Sequence, residues 1–318
     1  MFERGLVIKV AEMYHYQKLS QKKIAEKLGI SVPTVSRILN DAVQAGHVDV
    51  RVVSKERRFA ALSERMVKDF GLRGVKIVAA PPSSNPLYLK KLLGMAAGSL
   101  LQELAKPGDL IGLGPGETML ELVESLDPGH SLPGTILVPL MGGWGYGGLA
   151  YEVNKLVGSA ASVLHCDFNL MPCPALVSSV DVQEILLREP LISGVTEKWE
   201  KLDAAFFSVG GAVDDGTYPQ LRSEPGALRA ASDAGAVGDI LGRFIGDKGE
   251  ITAIDVNRRI IAIPVKTLKN IPLRVGIGGG SSKVRSVRAS LAAGYFNYLI
   301  SDEATCKAIA KLEELQDD

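Results

Sequence analysis

Three glycine-rich stretches follow short apolar runs and could bring backbone amides close to an anion. They lie at residues 112–118, 141–148 and 276–283. Glycine has no side chain, so the backbone can approach a ligand closely, and the start of a following helix favours negative charge. Phosphate suits such loops. We therefore expect an anion-binding site built from strand–helix loops.

The loop at residues 112–118 reads GLGPGET. Its glycine spacing is wrong for a dinucleotide fingerprint, and no acidic residue follows at the required distance. A plain strand–helix turn is the alternative, although one glycine usually suffices for a turn. We predict that Gly114, Gly116, Glu117 and Thr118 contact the ligand, with the Thr118 hydroxyl as a donor.

The second stretch reads MGGWGYGG, with five glycines in eight residues. This exceeds the flexibility that a turn needs, and Trp144 and Tyr146 could stack on a sugar face. A mobile surface loop is the alternative. We predict that Gly142 and Gly143 contact the ligand.

Two charged side chains complete the expected site. Lys283 should lie in the first turn of a helix, where a cation opposes the helix dipole and an anionic partner would offset that cost. The loop is not a Walker A motif, because no Gly-Lys-Ser/Thr order occurs, and a solvated lysine is the alternative. Asp239 lies in an apolar segment and could accept sugar hydroxyls. A helix cap explains Asp239 equally well.

Metal binding and catalysis find little support. His165, Cys166, Asp167 and Cys173 cluster in the sequence but lack a second close ligand pair. With four histidines in the chain, candidates for a general base are few. We predict no metal, no cofactor and no catalytic residue.

Alternating strands and helices must position these loops. From residue 74 onward, buried strands are expected at VKIVAA, DLIGLG, TILVPL, AAFFSVG, LRVGIGG and YLISD. Helices are expected at residues 87–105, 117–126, 149–160, 181–188, 236–245, 282–293 and 303–315. This pattern predicts an α/β domain with a largely parallel sheet, in which ligands gather at the carboxyl ends of the strands.

A second functional pattern occupies residues 19–39. Ser20 and Ser31 can cap two helices separated by Gly29, and Ala25 is small enough for the helices to approach. This is typical of a helix-turn-helix whose second helix enters the major groove of DNA. An ordinary helical hairpin, or one used for protein contact, is the alternative. The residues predicted to contact DNA are Lys22, Lys23, Ser31, Val32, Thr34, Ser36 and Arg37.

The segments around this motif support it. A helix over residues 5–17 should pack behind it through Leu6, Val7, Val10, Ala11 and Tyr14. Residues 47–53 alternate like a short strand or wing, where His47 and Arg51 contact phosphates or are simple surface charges. An amphipathic helix over residues 55–70 is expected to be a linker, with Phe59, Leu62 and Met66 as a candidate subunit contact.

Length and charge indicate two domains. The chain has 318 residues with 36 Lys or Arg and 36 Asp or Glu. Residues 1–58 contain eleven basic and six acidic side chains, which suits contact with a polyanion. We predict a DNA-binding domain at 1–54, a linker helix at 55–72 and an effector domain at 73–318. No apolar run is long enough for a membrane span, and three unpatterned cysteines indicate a reduced, cytoplasmic protein.

Together these motifs resemble the SorC family of sugar-responsive bacterial transcription regulators. The resemblance covers nearly the whole chain and depends most on GAVGDILGRFIGDKG and RVGIGGGSSKVRSVRASLAAGYFNYLISDEAT. It implies a helix-turn-helix domain followed by a Rossmann-like domain that resembles sugar-phosphate isomerases without being catalytic. It also implies a tetramer and a phosphorylated effector. By position, it implies that Gly116, Glu117, Thr118 and Lys283 face the phosphate and Asp239 the hydroxyls.

We therefore expect a DNA-binding regulator controlled by a phosphorylated sugar or polyol. Its expected partners are operator DNA, this effector and further copies of the chain, as a dimer of dimers, with no membrane. The alternative is a sugar-phosphate isomerase-like enzyme with an appended DNA-binding domain. Such an enzyme would use Glu117 or Asp239 as base and Lys283 as electrostatic partner.

Overall fold

The computed structural model describes most of the chain and divides it into two units. The units are Met1–Arg58 and Phe59–Asp318. The described residues are 2, 4–15, 17, 19–44, 59–80, 85–145, 151–211, 221 and 224–317. The predicted wing with His47 and Arg51, and the predicted aromatic contact Tyr146, lie outside them.

The first unit contains three helices in its described part. They are α1 (Arg4–His15), α2 (Gln21–Leu28) and α3 (Val32–Gln44). Both expected caps are confirmed, because the Ser20 and Ser31 hydroxyls accept the amides of Lys23 and Thr34, each at 3.3 Å. Gly29 ends α2 with φ +62°, the left-handed conformation that glycine adopts at least cost.

A small apolar core holds these three helices together. Ile24, Val35 and Ile38 are fully buried, and Ala25 is 6% exposed where the helices approach. The prediction for α1 needs one correction. Tyr14 is 37% exposed, and Met13 packs into the core instead. The helix-turn-helix is therefore built as its caps and apolar spacing predict.

The second unit is built on a seven-stranded parallel sheet with the strand order β1-β9-β8-β5-β2-β3-β4. All six predicted strands are confirmed, and β4 adds an edge that was not predicted. The strands of the sheet are β1 (Gly74–Val78), β2 (Leu110–Leu113), β3 (Ile136–Pro139), β4 (Asp167–Phe168), β5 (Ala204–Ser208), β8 (Leu273–Ile277) and β9 (Tyr298–Asp302).

Helices cover both faces of this sheet. In its described part, this unit contains the helices α4 (Ala60–Phe70), α5 (Pro86–Leu104), α6 (Glu117–Glu124), α7 (Val153–Leu164), α8 (Val180–Arg188), α9 (Pro190–Trp199), α10 (Pro225–Asp233), α11 (Asp255–Arg258), α12 (Val265–Asn270), α13 (Val284–Ala292) and α14 (Glu303–Asp317). Of these, α10 and α11 pack in a separate apolar cluster and not on the sheet. Side chains alternate across the strands, so Phe206 packs into one apolar cluster and Phe207 into another. The parallel α/β fold predicted from alternating elements is confirmed.

One predicted helix is wrong. Residues 236–245 form the antiparallel hairpin β6 (Gly238–Ile240) and β7 (Arg243–Ile245). Leu241 and Gly242 make its two-residue turn with φ +49° and +80°, positive values that suit a hairpin turn and exclude an α-helix. The apolar residues of this segment bury both strands of the hairpin against the core.

The expected linker helix is observed as α4, and it lies within the second unit. Met66 is fully buried, and Leu62 packs against the same core. Arg65 donates to the Ala310 carbonyl at 2.8 Å and to Glu314 at 2.7 Å. The proposed subunit contact through Met66 is therefore corrected, because this side chain is already covered within its own domain.

Candidate functional site

A cavity of about 830 Å³ opens at the carboxyl ends of the parallel strands. Gly116 follows β2, Ser208 ends β5 and Gly279 follows β8, and all three line the cavity. Strands β2 and β5 are neighbours in the sheet. From β2 the chain continues to β3 and β4 on one side, and from β5 it continues to β8 and β9 on the other side. Ligands of open α/β sheets bind at such a switch point.

The first glycine-rich loop contributes the start of α6 to this cavity. Gly116 has φ +126°, a conformation that favours glycine, and precedes the first helical residue, Glu117. The Gly116 amide donates to the Tyr151 carbonyl at 3.2 Å. The amides of Glu117 and Thr118 lie in the first turn, where a helix provides no carbonyl partner. These two amides, rather than that of Gly116, are placed for an anion.

Three predicted ligand contacts lie outside the cavity lining. A Cβ atom on Gly114 would lie 2.9 Å from Phe207 Cβ, and one on Gly142 would lie 2.6 Å from the Pro174 backbone. At Gly143 it would lie 2.5 Å from the Glu152 carboxylate. These glycines therefore allow close packing of the chain on itself, and the structure does not bring them to the ligand cavity.

Lys283 lines the cavity at the end of a 3-10 turn, Ser281–Lys283, immediately before α13. Its Nζ donates to the Val209 carbonyl at 2.6 Å. Burial lowers the pKa of Lys283, and the nearby carboxylates of Asp239 and Glu117 oppose that shift. The side chain is thus a half-buried cation, held in place by one carbonyl.

Asp239 lies on β6 and also lines the cavity. One carboxylate oxygen accepts the Gly242 amide at 2.9 Å, which holds the hairpin turn. A Cβ atom on Gly210 would lie 1.6 Å from the other oxygen. Only glycine therefore leaves room at position 210 for this carboxylate to reach the cavity.

Other cavity residues were not predicted. Lys90 from α5 forms an ion pair with Glu117 at the cavity. Gly210 and its neighbour Gly211 follow β5, and this glycine pair after a buried strand is a signal that sequence reasoning could have used. Lys90 gave no such signal, because lysines on a helix are usually solvated. Trp144, weighed as a stacking residue, does line the cavity.

The predicted DNA contacts all lie on α2, on α3 or at the cap of α3. Lys22, Lys23 and Arg37 are exposed, and Val32 is 42% exposed although it is apolar. Ser36 is partly exposed, while the Ser31 and Thr34 hydroxyls are 2.7 Å apart. The amino-terminal half of a recognition helix is where base contacts are made.

His165, Cys166, Asp167 and Cys173, which are close together in the sequence, do not come together as a set of metal ligands. His165 ends α7 in the left-handed conformation, and burial raises the pKa of Cys173 to about 11. Within the ranges that the structure describes, no group of three His, Cys, Asp or Glu could hold a metal ion. No helix in the same ranges is long and apolar enough to cross a membrane.

Known proteins match both units. Residues 55–311 match the family model described as "Putative sugar-binding domain", and residues 10–58 match the MarR family. The transcriptional regulator LsrR of Escherichia coli (strain K12) is 29% identical over 315 residues, which is 98% of this chain and 96% of that protein.

Two crystal structures share the fold. The full-length sorbitol operon regulator SorC from Klebsiella pneumoniae has a TM-score of 0.74 at 24% identity, covering 98% of this chain and 99% of that one. A transcriptional regulator from Streptococcus pneumoniae TIGR4 has a TM-score of 0.75 at 23% identity, covering 82% of this chain and 100% of that one.

The two matched families define the class of protein: a sugar-binding domain preceded by a helix-turn-helix domain. The chain belongs to the SorC family of sugar-responsive transcriptional regulators. It is a transcriptional regulator that combines a DNA-binding domain with a sugar-binding domain.

Proposed function

We propose that a phosphorylated sugar or polyol binds the cavity of the second domain and controls binding of residues 1–54 to operator DNA. The observation that carries this proposal is the meeting of Lys283, the first turn of α6 and Asp239 in one cavity at the strand ends. A cation and free helix amides suit phosphate, while a carboxylate suits hydroxyl groups. SorC, whose crystal structure covers 98% of this chain, is a sorbitol operon regulator.

Each part of the cavity has a chemical role in this proposal. The amides of Glu117 and Thr118 and the Lys283 ammonium face the phosphate. Asp239 accepts hydrogen bonds from hydroxyls through the carboxylate that also holds its turn. Trp144, which lines the cavity, covers the apolar face of the carbon chain.

The effector domain acts as a sensor and not as an enzyme in this proposal. An isomerase needs a carboxylate free to move a proton at the substrate carbon. In the proposed binding mode Glu117 lies at the phosphate end of the ligand and not beside a carbon atom, and Asp239 holds the turn at Gly242. Incubation with a panel of sugar phosphates, followed by NMR, tests this, because any turnover would favour the isomerase instead.

A thermal-shift screen with phosphorylated and free sugars and polyols tests the function itself. The expected result is a higher melting temperature with one phosphorylated compound, since a ligand that binds only the folded state stabilises it. Sorbitol 6-phosphate and sorbitol are the first pair to try. Calorimetry of the best pair on Lys283→Ala should then show a weakened preference for the phosphate form, by about tenfold to a hundredfold. If wild type and Lys283→Ala prefer the phosphorylated form equally, Lys283 does not contact the phosphate.

Assembly and location belong to the same proposal. We infer a dimer of dimers, because one helix-turn-helix makes few base contacts and two-fold proteins read two-fold sites. The protein acts in the cytoplasm, where its operator DNA lies.

A further inference from the structure

The charges along the described part of the cavity come close to cancelling. Lys90 and Lys283 are cations, whereas Glu117, Asp239 and Asp302 are carboxylates. Asp302 is buried, and its oxygens accept the Gly280 amide at 2.8 Å, the Thr305 amide at 3.0 Å and the Thr305 hydroxyl at 2.6 Å. It therefore acts as a fixed cap of α14, and the other four charges decide how the cavity receives an anion.

Close packing of two helices positions the Lys90–Glu117 pair. A Cβ atom on Gly94 would lie 2.3 Å from the Cβ of Glu121, so the α5 and α6 backbones approach closely there. Lys90 precedes Gly94 by one helical turn, and Glu117 precedes Glu121 by one turn. The two charged side chains therefore start from a rigid frame and meet beside the cavity.

The carboxylate of Glu117 occupies a place that attracts anions. It belongs to the first residue of α6, where the helix dipole favours negative charge, and it pairs with Lys90. The Glu117 side chain is 41% exposed and that of Lys90 is 30% exposed. The pair is thus open enough to separate without unfolding either helix.

We propose that Glu117 is an internal anion that occupies the phosphate subsite, and that effector phosphate binds by displacing it from Lys90. This rests on the proposed function, because it assumes a phosphorylated effector. Lys90 then supplies the second cation that a phosphate dianion needs beside Lys283. Glu117 sets selectivity, since a ligand with weaker charge cannot displace it.

Inorganic phosphate is the probe, titrated by phosphorus NMR into the full-length protein and four single variants. Glu117→Gln keeps the shape and removes the competing charge, so we expect phosphate affinity to rise roughly tenfold. Lys90→Met should lower affinity by about tenfold or more. The matched controls are Glu124→Gln on the exposed side of α6 and Lys91→Met beside Lys90, both expected to bind like wild type.

The double variant Lys90→Met/Glu117→Gln distinguishes competition from general electrostatics. If Glu117 acts by holding Lys90, its removal should gain little once Lys90 is absent, and the two effects should not add. Thermal unfolding of each variant first establishes that it is folded.

The outcomes separate this inference from the proposed function. If wild type binds phosphate and Glu117→Gln binds it equally or more weakly, Glu117 only positions Lys90 and the inference is wrong. If neither protein binds phosphate while a free sugar stabilises both, phosphate recognition itself fails, and the inference with it.

Discussion

Single side chains on the helix-turn-helix should divide between reading DNA sequence and binding its backbone. Arg37 is exposed on α3, and Lys23 is exposed in the first turn of α2. An arginine can donate two hydrogen bonds to the edge of one base, whereas a lysine on the first helix of the motif, here α2, contacts phosphates. Truncation of Arg37 should therefore change which sequences are bound, whereas truncation of Lys23 should change the affinity for DNA of any sequence.

We predict that Arg37→Ala costs about 1–3 kcal/mol of operator binding and relaxes base preference at one position. Lys23→Ala should weaken all sequences alike and reduce the salt dependence of binding. Fluorescence anisotropy on operator and scrambled DNA at several salt concentrations measures both. Unchanged operator binding by Arg37→Ala would mean that α3 sits in the groove in another register.

A second residue-level prediction concerns the pH dependence of effector binding. Burial lowers the pKa of Lys283 from its ordinary value of 10.5, with Asp239, Lys90 and Glu117 as the charged groups around it. The ammonium is therefore lost at a lower pH than that of a free lysine. Affinity for a phosphorylated ligand should fall as pH rises through this lowered pKa, before pH 10.5 is reached.

Calorimetry at rising pH checks this, with Lys283→Arg as the comparison. Arginine stays protonated throughout, so the variant should keep its phosphate preference where wild type loses it. Parallel pH profiles for the two proteins would show that another group controls the loss.

At the scale of elements, one buried arginine joins three segments of the second domain. Arg259 follows α11 and donates to both Glu224 oxygens, at 2.9 and 2.7 Å, just before α10. It also donates to the Val177 carbonyl and to Asp255, each at 2.7 Å. Hydrogen bonds from Arg259 lower the pKa of Glu224 below its ordinary value of 4.5.

Because of the Arg259–Glu224 pair, the free energy of unfolding should decrease as the pH becomes acidic. A carboxyl whose pKa is lowered in the folded state stabilises the fold above its unfolded pKa. That stabilisation is lost as pH falls through the lowered value. We expect Glu224→Gln to cost about 1 kcal/mol at neutral pH and to lose less than wild type on acidification below about pH 4.5.

Urea denaturation at neutral and acid pH measures the difference. Asp233→Asn is the control, because Asp233 makes an exposed ion pair of 4.0 Å with Arg229 and should contribute little. If acid lowers the stability of wild type and of Glu224→Gln equally, the Arg259–Glu224 pair is not the cause of the loss.

At the scale of the whole molecule, DNA recognition should require more than one copy of the chain. The described part of the first domain offers α3 as its one recognition helix. Two such helices, related by a two-fold axis, would read two half-sites about one turn of DNA apart. Because Met66 is buried within its own domain, we expect a contact between copies of the chain to use other residues.

We predict that sedimentation shows an oligomer at micromolar concentration and that a single half-site binds much more weakly than the full operator. The physical reason is that the second helix binds at a high effective concentration once the first is bound. A monomer that still bound operator tightly would refute this.

Local chemistry explains why so much of the fold could be read from the sequence. Ser20, Gly29 and Ser31 act on backbone groups within four residues, so their roles as caps do not depend on distant parts of the chain. The central strands are short apolar runs buried on both faces, a pattern that is visible without partners. The same reasoning led to the loops after β2 and β8, and to Asp239 and Lys283.

Tertiary structure alone decided which of the glycines and charges meet at the cavity. Gly114 and Gly142 look like Gly116 in the sequence, but contacts with Phe207 and Pro174, far along the chain, place them in packing roles. Residues 236–245 carry an apolar pattern that suits a helix or a strand, and burial against the core selected the hairpin that presents Asp239. Lys90 and Glu117 are 27 residues apart. Only the packing of α5 on α6 brings that cation to the helix start, because local spacing cannot encode a meeting of two helices.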